Sequence, residues 1–250
     1  MPFVQNSLVS IIPSFRRKRL IKAVFIDIDD TVFSFSGSVK KAMRDGFEKF
    51  GLKPYTDEMY PIFEKINNEL WRRVELNELT IQQLCKIRWN MIFERINISF
   101  DGTEFENYFC EELHQSAVFE PHALEFLSYL KDRYILCAAS NGPYEQQYNR
   151  LKVSGIDTYF SHIFISSAIG AKKPDKEFFD YCFSKLRGSV YDSLLPEETI
   201  IIGDSLTSDI AGGRNYGMKT CLYTKEKEYD SDYKPADYIV SDLSDIMKIL

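Results

Sequence analysis

Val24-Phe25-Ile26-Asp27-Ile28-Asp29-Asp30-Thr31 runs from hydrophobic residues into three carboxylates. The β-branched and aromatic start reads as a short buried strand from Ala23 to Ile28 that stops on aspartate. Asp27 and Asp29 are two apart, so they share a face where the strand ends, at the edge where open α/β sheets place ligands. Carboxylates on one edge repel each other and call for a compensating cation. Hard oxygen ligands with no His or Cys beside them favour Mg2+ over zinc or copper. The alternative is that these aspartates are only the turn formers that commonly follow strands.

Further short strands are predicted at Tyr134 to Ala139, His162 to Ile165, Thr199 to Ile202, Thr220 to Tyr223 and Tyr238 to Val240. Helical stretches, including Ala123 to Lys131 and Lys176 to Leu186, lie between them. Alternating strands and helices imply an α/β class with a parallel sheet covered on both faces.

The alternation breaks between about Gly37 and Gln115, where only helical patterns occur. Val39, Met43, Phe47 and Phe50 recur on one helix face, with Gly51 as a stop. Glu58 to Leu70 and Ile81 to Arg95 repeat the style. These residues read as an all-helical insertion that closes over the sheet as a lid. Its hinges are expected near Phe33 to Gly37 and Ser116 to Pro121.

Three later strand ends carry chemistry. Ala139-Ser140-Asn141-Gly142 offers a hydroxyl, an amide and a backbone N–H to phosphate oxygens. Ala171-Lys172-Lys173-Pro174-Asp175 sets a lysine before a proline that precedes a helix. Ile202-Gly203-Asp204-Ser205-Leu206-Thr207-Ser208-Asp209 ends another strand with an acidic pair and opens a helix, with Gly212 and Gly213 following.

In this order, the four elements resemble the four motifs of the haloacid dehalogenase superfamily of phosphohydrolases, from about Ile21 onward. The resemblance implies a Rossmann-like, doubly wound core over residues 20–36 and 116–250. Residues 37–115 would be a helical cap inserted after the first strand, and 1–19 an N-terminal extension. Asp27 to Thr31 with Phe33, Asn68-Glu69-Leu70-Trp71, Gly203-Asp204-Ser205 and Ser208-Asp209-Ile210 resemble more narrowly the bacterial 5'-nucleotidases acting on pyrimidine and noncanonical nucleoside monophosphates.

The resemblance implies that Asp27 is the nucleophile that forms an aspartyl-phosphate. Asp29 would act as general acid and base, and neighbouring anions and partial burial would raise its pKa. Mg2+ would sit on the Asp27 and Asp204 carboxylates and the Asp29 backbone carbonyl. Ser140, Asn141, Gly142 and Lys173 would bind the phosphoryl group. Asp209 would hold Lys173 or a metal-bound water, and Thr31 would support the site from behind. Two aspartates and a phosphate dianion outweigh one divalent cation, and a lysine at ~4 Å adds an attraction of order 4 kcal/mol at an effective dielectric near 20. Dehalogenases of the superfamily lack the second acid, so Asp29 points to phosphate chemistry. The expected substrate is a small phosphorylated metabolite, a nucleoside monophosphate first. The alternatives are a sugar-phosphate phosphatase, a phosphomutase, or a non-catalytic relative that binds a phosphorylated ligand. Phe33, Phe35, Trp71, Arg72 and Trp89 are candidates for specificity, though helix cores use the same aromatic residues more often, and Arg72 is expected to be solvated rather than substrate-facing.

Composition narrows the classes further. The 250 residues are 44% apolar and 27% charged, which excludes disorder and suffices for a packed core. Lys and Arg total 31 against 37 Asp and Glu, a net charge of -6 that disfavours a nucleic-acid polymer as partner. No run approaches the ~20 apolar residues of a membrane span. Five scattered cysteines without CxxC spacing suggest free thiols in a cytoplasmic, reducing setting. Arg16-Arg17-Lys18-Arg19 follows the apolar Phe3 to Ile12, the reverse of a signal peptide's order. A frayed extension is expected there, with a weak membrane-surface contact as the alternative. His114, His122 and His162 show no ligand spacing, and a monomer or small homo-oligomer is expected.

Overall fold

In the computed structural model, strand β1 (Ala23–Ile26) is buried on both sides, and its alternate residues face different layers. Val24 and Ile26 pack into one core with Phe126, Leu127, Leu130 and Ile246, whereas Ala23 and Phe25 pack into another with Phe178, Phe179 and Phe183. This two-sided burial is why the strand reads as continuously hydrophobic. The structure describes residues 20–187, 193–225 and 234–250. The N-terminal extension and its basic cluster lie outside the described residues.

The other strands are β2 (Ile135–Ser140), β3 (His162–Ile165), β4 (Thr199–Gly203), β5 (Lys219–Tyr223) and β6 (Tyr238–Val240). All pair in parallel, in the order β3-β2-β1-β4-β5-β6. The chain begins in the middle, winds out to β3, then returns to β4 beside β1. The order reverses between β1 and β4, and the carboxyl ends there diverge into a crevice. Each strand anticipated from sequence forms, with ends shifted by no more than two residues.

Helices α1 (Phe35–Lys49), α2 (Tyr60–Glu75), α3 (Ile81–Arg95) and α4 (Gly102–Gln115) follow β1. They carry a separate aromatic core in which Trp89 and Phe105 lie 4.3 Å apart between ring centroids. Gly46 brings α1 against α4, since a Cβ there would meet Tyr108 Cε1 at 2.5 Å. Thr80 and Gln83 form a reciprocal cap on α3, and the Asp101 carboxylate accepts from Thr103 N–H to start α4. Each such cap is worth about 1 kcal/mol. The two crossings between this helical unit and the sheet run side by side: Ser34 N–H donates to Val118 O and Glu120 N–H to Val32 O.

The remaining helices are α5 (Ala123–Lys131), α6 (Tyr144–Val153), α7 (Ser166–Ile169), α8 (Lys176–Arg187), α9 (Ala211–Tyr216) and α10 (Leu243–Ile249). Among the described residues no helix is long and apolar enough to cross a membrane. Phe33 and Trp89, weighed above for specificity, are both fully buried. Phe33 packs on Phe119, and Trp89 sits at the centre of the helical core, so the structure gives both a packing role.

Candidate active site

Asp27 is the residue after β1, and its backbone N–H donates to Ile202 O on β4 at 2.9 Å. The ladder thus delivers its carboxylate to the crevice between the two strands. Lys173 reaches it from the loop before α8, donating 2.5 Å to Asp27 Oδ1, 2.6 Å to Asp209 Oδ1 and 2.5 Å to Ala139 O. The ammonium is only 1% exposed, and all three of its protons are used on these acceptors. Burial alone would push Lys173 down, but Asp209 and Asp27 outweigh it and hold the pKa above the usual lysine range. Asp209 thus contacts Lys173 directly, one of the two roles expected of it, the other being to hold a metal-bound water. Lys173 itself grips the carboxylates and spends no proton on the open cavity.

Asp209 reaches this position through a widened π-helical turn, Leu206–Ile210, of the kind often found at functional sites. The Ser205 hydroxyl caps the turn from Ser208 N–H, and Ser205 N–H donates to Asp209 Oδ2. Gly203 is required beneath it, because a Cβ there would meet Asp209 Oδ2 at 2.2 Å.

Carboxylate oxygens of Asp27, Asp204 and Asp209 lie within 4.8 Å of one another. Three carboxylates against one ammonium leave a surplus of two negative charges, in an all-oxygen donor set that fits a hard divalent cation. Asp27 is pushed up to about 8, mainly by burial, with Lys173 opposing and Asp209 and Asp29 adding to the rise. Asp204 is exposed as a residue, yet desolvation of its carboxylate, with repulsion from Asp27, Asp209 and Asp30, raises it well above the ordinary range. Burial leads both shifts, and repulsion among the carboxylates adds to each.

Asp29 stands apart from this cluster. Its Oδ1 accepts from Arg150 Nη1 and its Oδ2 from Gln147 Nε2. Ser140 Oγ accepts from Gly142 N–H at 3.0 Å and from Gln147 Nε2 at 3.1 Å. Its own proton is left for an acceptor in the cavity. Asn141, expected to bind phosphate, is engaged by the lysine loop. Its amide donates to Lys173 O at 2.8 Å and accepts from Lys173 N–H at 2.9 Å, clamping the lysine's backbone. Thr31 is fully buried, and its hydroxyl makes no hydrogen bond to the carboxylates or to any other group among the described residues.

Residues 21–217 match the family model of the haloacid dehalogenase-like hydrolases. The chain belongs to this family. It is 30% identical over 229 residues to the HAD-hydrolase YfnB of Bacillus subtilis, covering 92% of this chain and 95% of that one. A crystal structure of YfnB bound to magnesium superposes with a TM-score of 0.82 at 29% identity, covering 93% of this chain and 99% of that one. The pyrimidine 5'-nucleotidase PynA of Streptococcus pneumoniae is 29% identical over 233 residues, 92% of this chain and 94% of its own. The glyceraldehyde 3-phosphate phosphatase of Pyrococcus furiosus is 27% identical over 240 residues, 93% of this chain and 94% of its own.

In this hydrolase the carboxylate crevice opens into a cavity of about 280 Å³ that runs up between the sheet and the helical unit. Asp27, Asp204 and Ser140 form its floor, while Phe35, Asn67, Asn68 and Trp71 line its helical side. Lys172 Nζ donates to Val74 O and Asn77 Oδ1 at 3.1 Å each, joining the loop that carries Lys173 to the end of α2. Arg72, a further specificity candidate, is exposed and outside the cavity lining. Arg150 and Gln147 were not singled out in the sequence. They lie three apart in the polar stretch Tyr144-Glu145-Gln146-Gln147-Tyr148-Asn149-Arg150, where nothing distinguishes a buried polar face from a solvated one.

Proposed function

We propose that this hydrolase cleaves small phosphomonoesters through an aspartyl-phosphate on Asp27, with nucleoside 5'-monophosphates as the preferred class. The observation that carries the reading is the buried Asp27, fixed by Lys173 at the floor of a cavity that continues to the helical unit. Asp27 Oδ1 is held by Lys173, so Oδ2 is the attacking atom. Ser140 donates its free proton to a phosphoryl oxygen, as does any donor aimed where charge develops. Asp29 delivers a proton to the departing alkoxide and later takes one from the attacking water. To do so it exchanges its Arg150 and Gln147 partners for the leaving group. Asp27 and Asp204, with the Asp29 backbone carbonyl, would hold Mg2+. When bound, Mg2+ supplies the positive charge that the carboxylate surplus lacks and polarises the phosphoryl oxygens.

Residues 37–115 act as a cap over a core of 20–36 and 116–250, closing to exclude water. Phe35 and Trp71 offer faces to a planar base, and Asn67 and Asn68 offer amides to its edge. These side chains favour a nucleotide over a three-carbon phosphate, despite the similarity to the Pyrococcus furiosus enzyme. A panel of nucleoside, sugar and triose monophosphates, assayed for phosphate release with Mg2+ and with EDTA, tests the reading. Metal-dependent release that is fastest from nucleoside monophosphates supports it, and a preference for triose phosphate would replace the substrate class. Folded, metal-loaded protein that released phosphate from none of them would overturn it.

A further inference from the structure

Cys85 on α3 and Cys110 on α4 face each other across the wall of the same cavity, away from the carboxylate floor. Their sulfurs and a Glu106 oxygen lie within 4.8 Å of one another, and Cys110 Sγ donates to Glu106 Oε1 at 3.2 Å. The buried Arg88 guanidinium takes both oxygens of Glu106, at 3.1 and 2.5 Å, and donates to Asn67 Oδ1 at 2.9 Å. With the carboxylate committed to a guanidinium, the cluster falls short of the four ligands of a structural zinc site, and the guanidinium would repel the ion. A pair of thiols within reach of each other and open to a cavity has a different chemistry.

We propose that Cys85 and Cys110 form a reversible disulfide in the cavity wall when the protein meets a hydroperoxide. The Cys85 thiolate attacks the hydroperoxide and the O–O bond breaks; Cys85 becomes a sulfenic acid, and the departing alkoxide or hydroxide takes a proton from solvent to leave as an alcohol or water. Cys110 sulfur then attacks Cys85 sulfur, and the S–O bond breaks. The departing hydroxide takes the Cys110 proton as water, so the two thiols are oxidised and the hydroperoxide is reduced. Local electrostatics assign these roles. Cys110 gives its proton to Glu106 Oε1, whereas Cys85 has the buried Arg88 guanidinium nearby and a pKa lowered by its neighbours. Cys137, Cys182 and Cys221 are fully buried in the sheet layers, and burial pushes their thiols up. The bond would tie α3 to α4 and pull Cys110 off Glu106, reshaping the wall that faces the substrate.

The test is brief treatment of reduced, folded protein with hydrogen peroxide, alkylation of free thiols, and peptide mapping. The expected result is a Cys85–Cys110 linked peptide, two hydrogens lighter, that dithiothreitol cleaves. In Cys110→Ser, Cys85 should stop as a sulfenic acid that dimedone captures, and in Cys85→Ser, Cys110 should stay unmodified. Both thiols remaining free, or the three buried cysteines oxidising as fast, would overturn the proposal. A second readout rests on the proposed phosphatase activity: the oxidised protein should show a several-fold higher KM that dithiothreitol restores. Reduced protein without turnover would count against that activity alone, because the linked peptide is read by mass.

Discussion

Arg150 Nη1 donates to the Asp29 carboxylate while its Nε donates to the backbone carbonyl of Ser116 at 2.9 Å. One buried guanidinium therefore joins the proposed acid to the end of α4, where the chain leaves the helical unit. The ring of Phe33, on the other crossing, lies under the same guanidinium at 4.9 Å. Movement of the helical unit would be felt at Asp29 through this side chain. Arg150→Ala is expected to lower stability by about 2 kcal/mol, since a hydrogen bond to a charged group is lost from a buried site. It should also lower kcat, because Asp29 loses its guide. Urea unfolding and steady-state kinetics on the same preparation check both, and unchanged kcat would separate Arg150 from the chemistry.

Asn141 binds both backbone groups of Lys173, which places it behind the lysine. Asn141→Ala should therefore depress kcat by about one to two orders of magnitude, as loss of a positioned electrostatic group does, with a smaller effect on KM. A rise in KM alone would indicate direct contact with the substrate.

Gly203 is next to Asp204 and carries no catalytic atom, yet its missing Cβ leaves room for the Asp209 carboxylate. Gly203→Ala should displace Asp209, loosen Lys173 and suppress turnover while far-UV circular dichroism stays native. Full activity in this variant would show that Asp209 can move without consequence.

Surplus negative charge at Asp27, Asp204 and Asp209 predicts stabilisation by Mg2+ even without substrate. Saturation at a hundredfold excess over Kd corresponds to about 2.7 kcal/mol, readable as a rise in Tm. Asp204→Asn should abolish most of that rise, and EDTA should reverse it in the wild type. An equal rise in the variant would place the ion elsewhere.

Much of this was legible in the chain because the strands are buried on both faces and end in chemically distinct residues. Val24-Phe25-Ile26-Asp27 and Ile200-Ile201-Ile202-Gly203-Asp204 announce both the sheet and its ligand edge. The helical insertion was equally visible in its apolar spacing. The partners of each group were harder to read. Asn141 looked like a phosphate ligand because amides suit that role, but a loop far off in sequence brings the Lys173 backbone to it. Arg150 and Gln147 sit in a helix polar enough to be taken for solvated. Trp89 and Phe33 were candidates for substrate contact set against the core role such aromatics more often take, and tertiary packing uses them as core.

The central claim is that phosphorus is transferred to Asp27. The direct measurement is to quench wild-type protein during turnover of a nucleoside monophosphate, reduce with borohydride, and map the peptide spanning β1. An acyl phosphate is reduced to the alcohol, so the account predicts homoserine at position 27 only when substrate and Mg2+ were present. Continuing phosphate release with Asp27 unaltered in every quenched sample would contradict it.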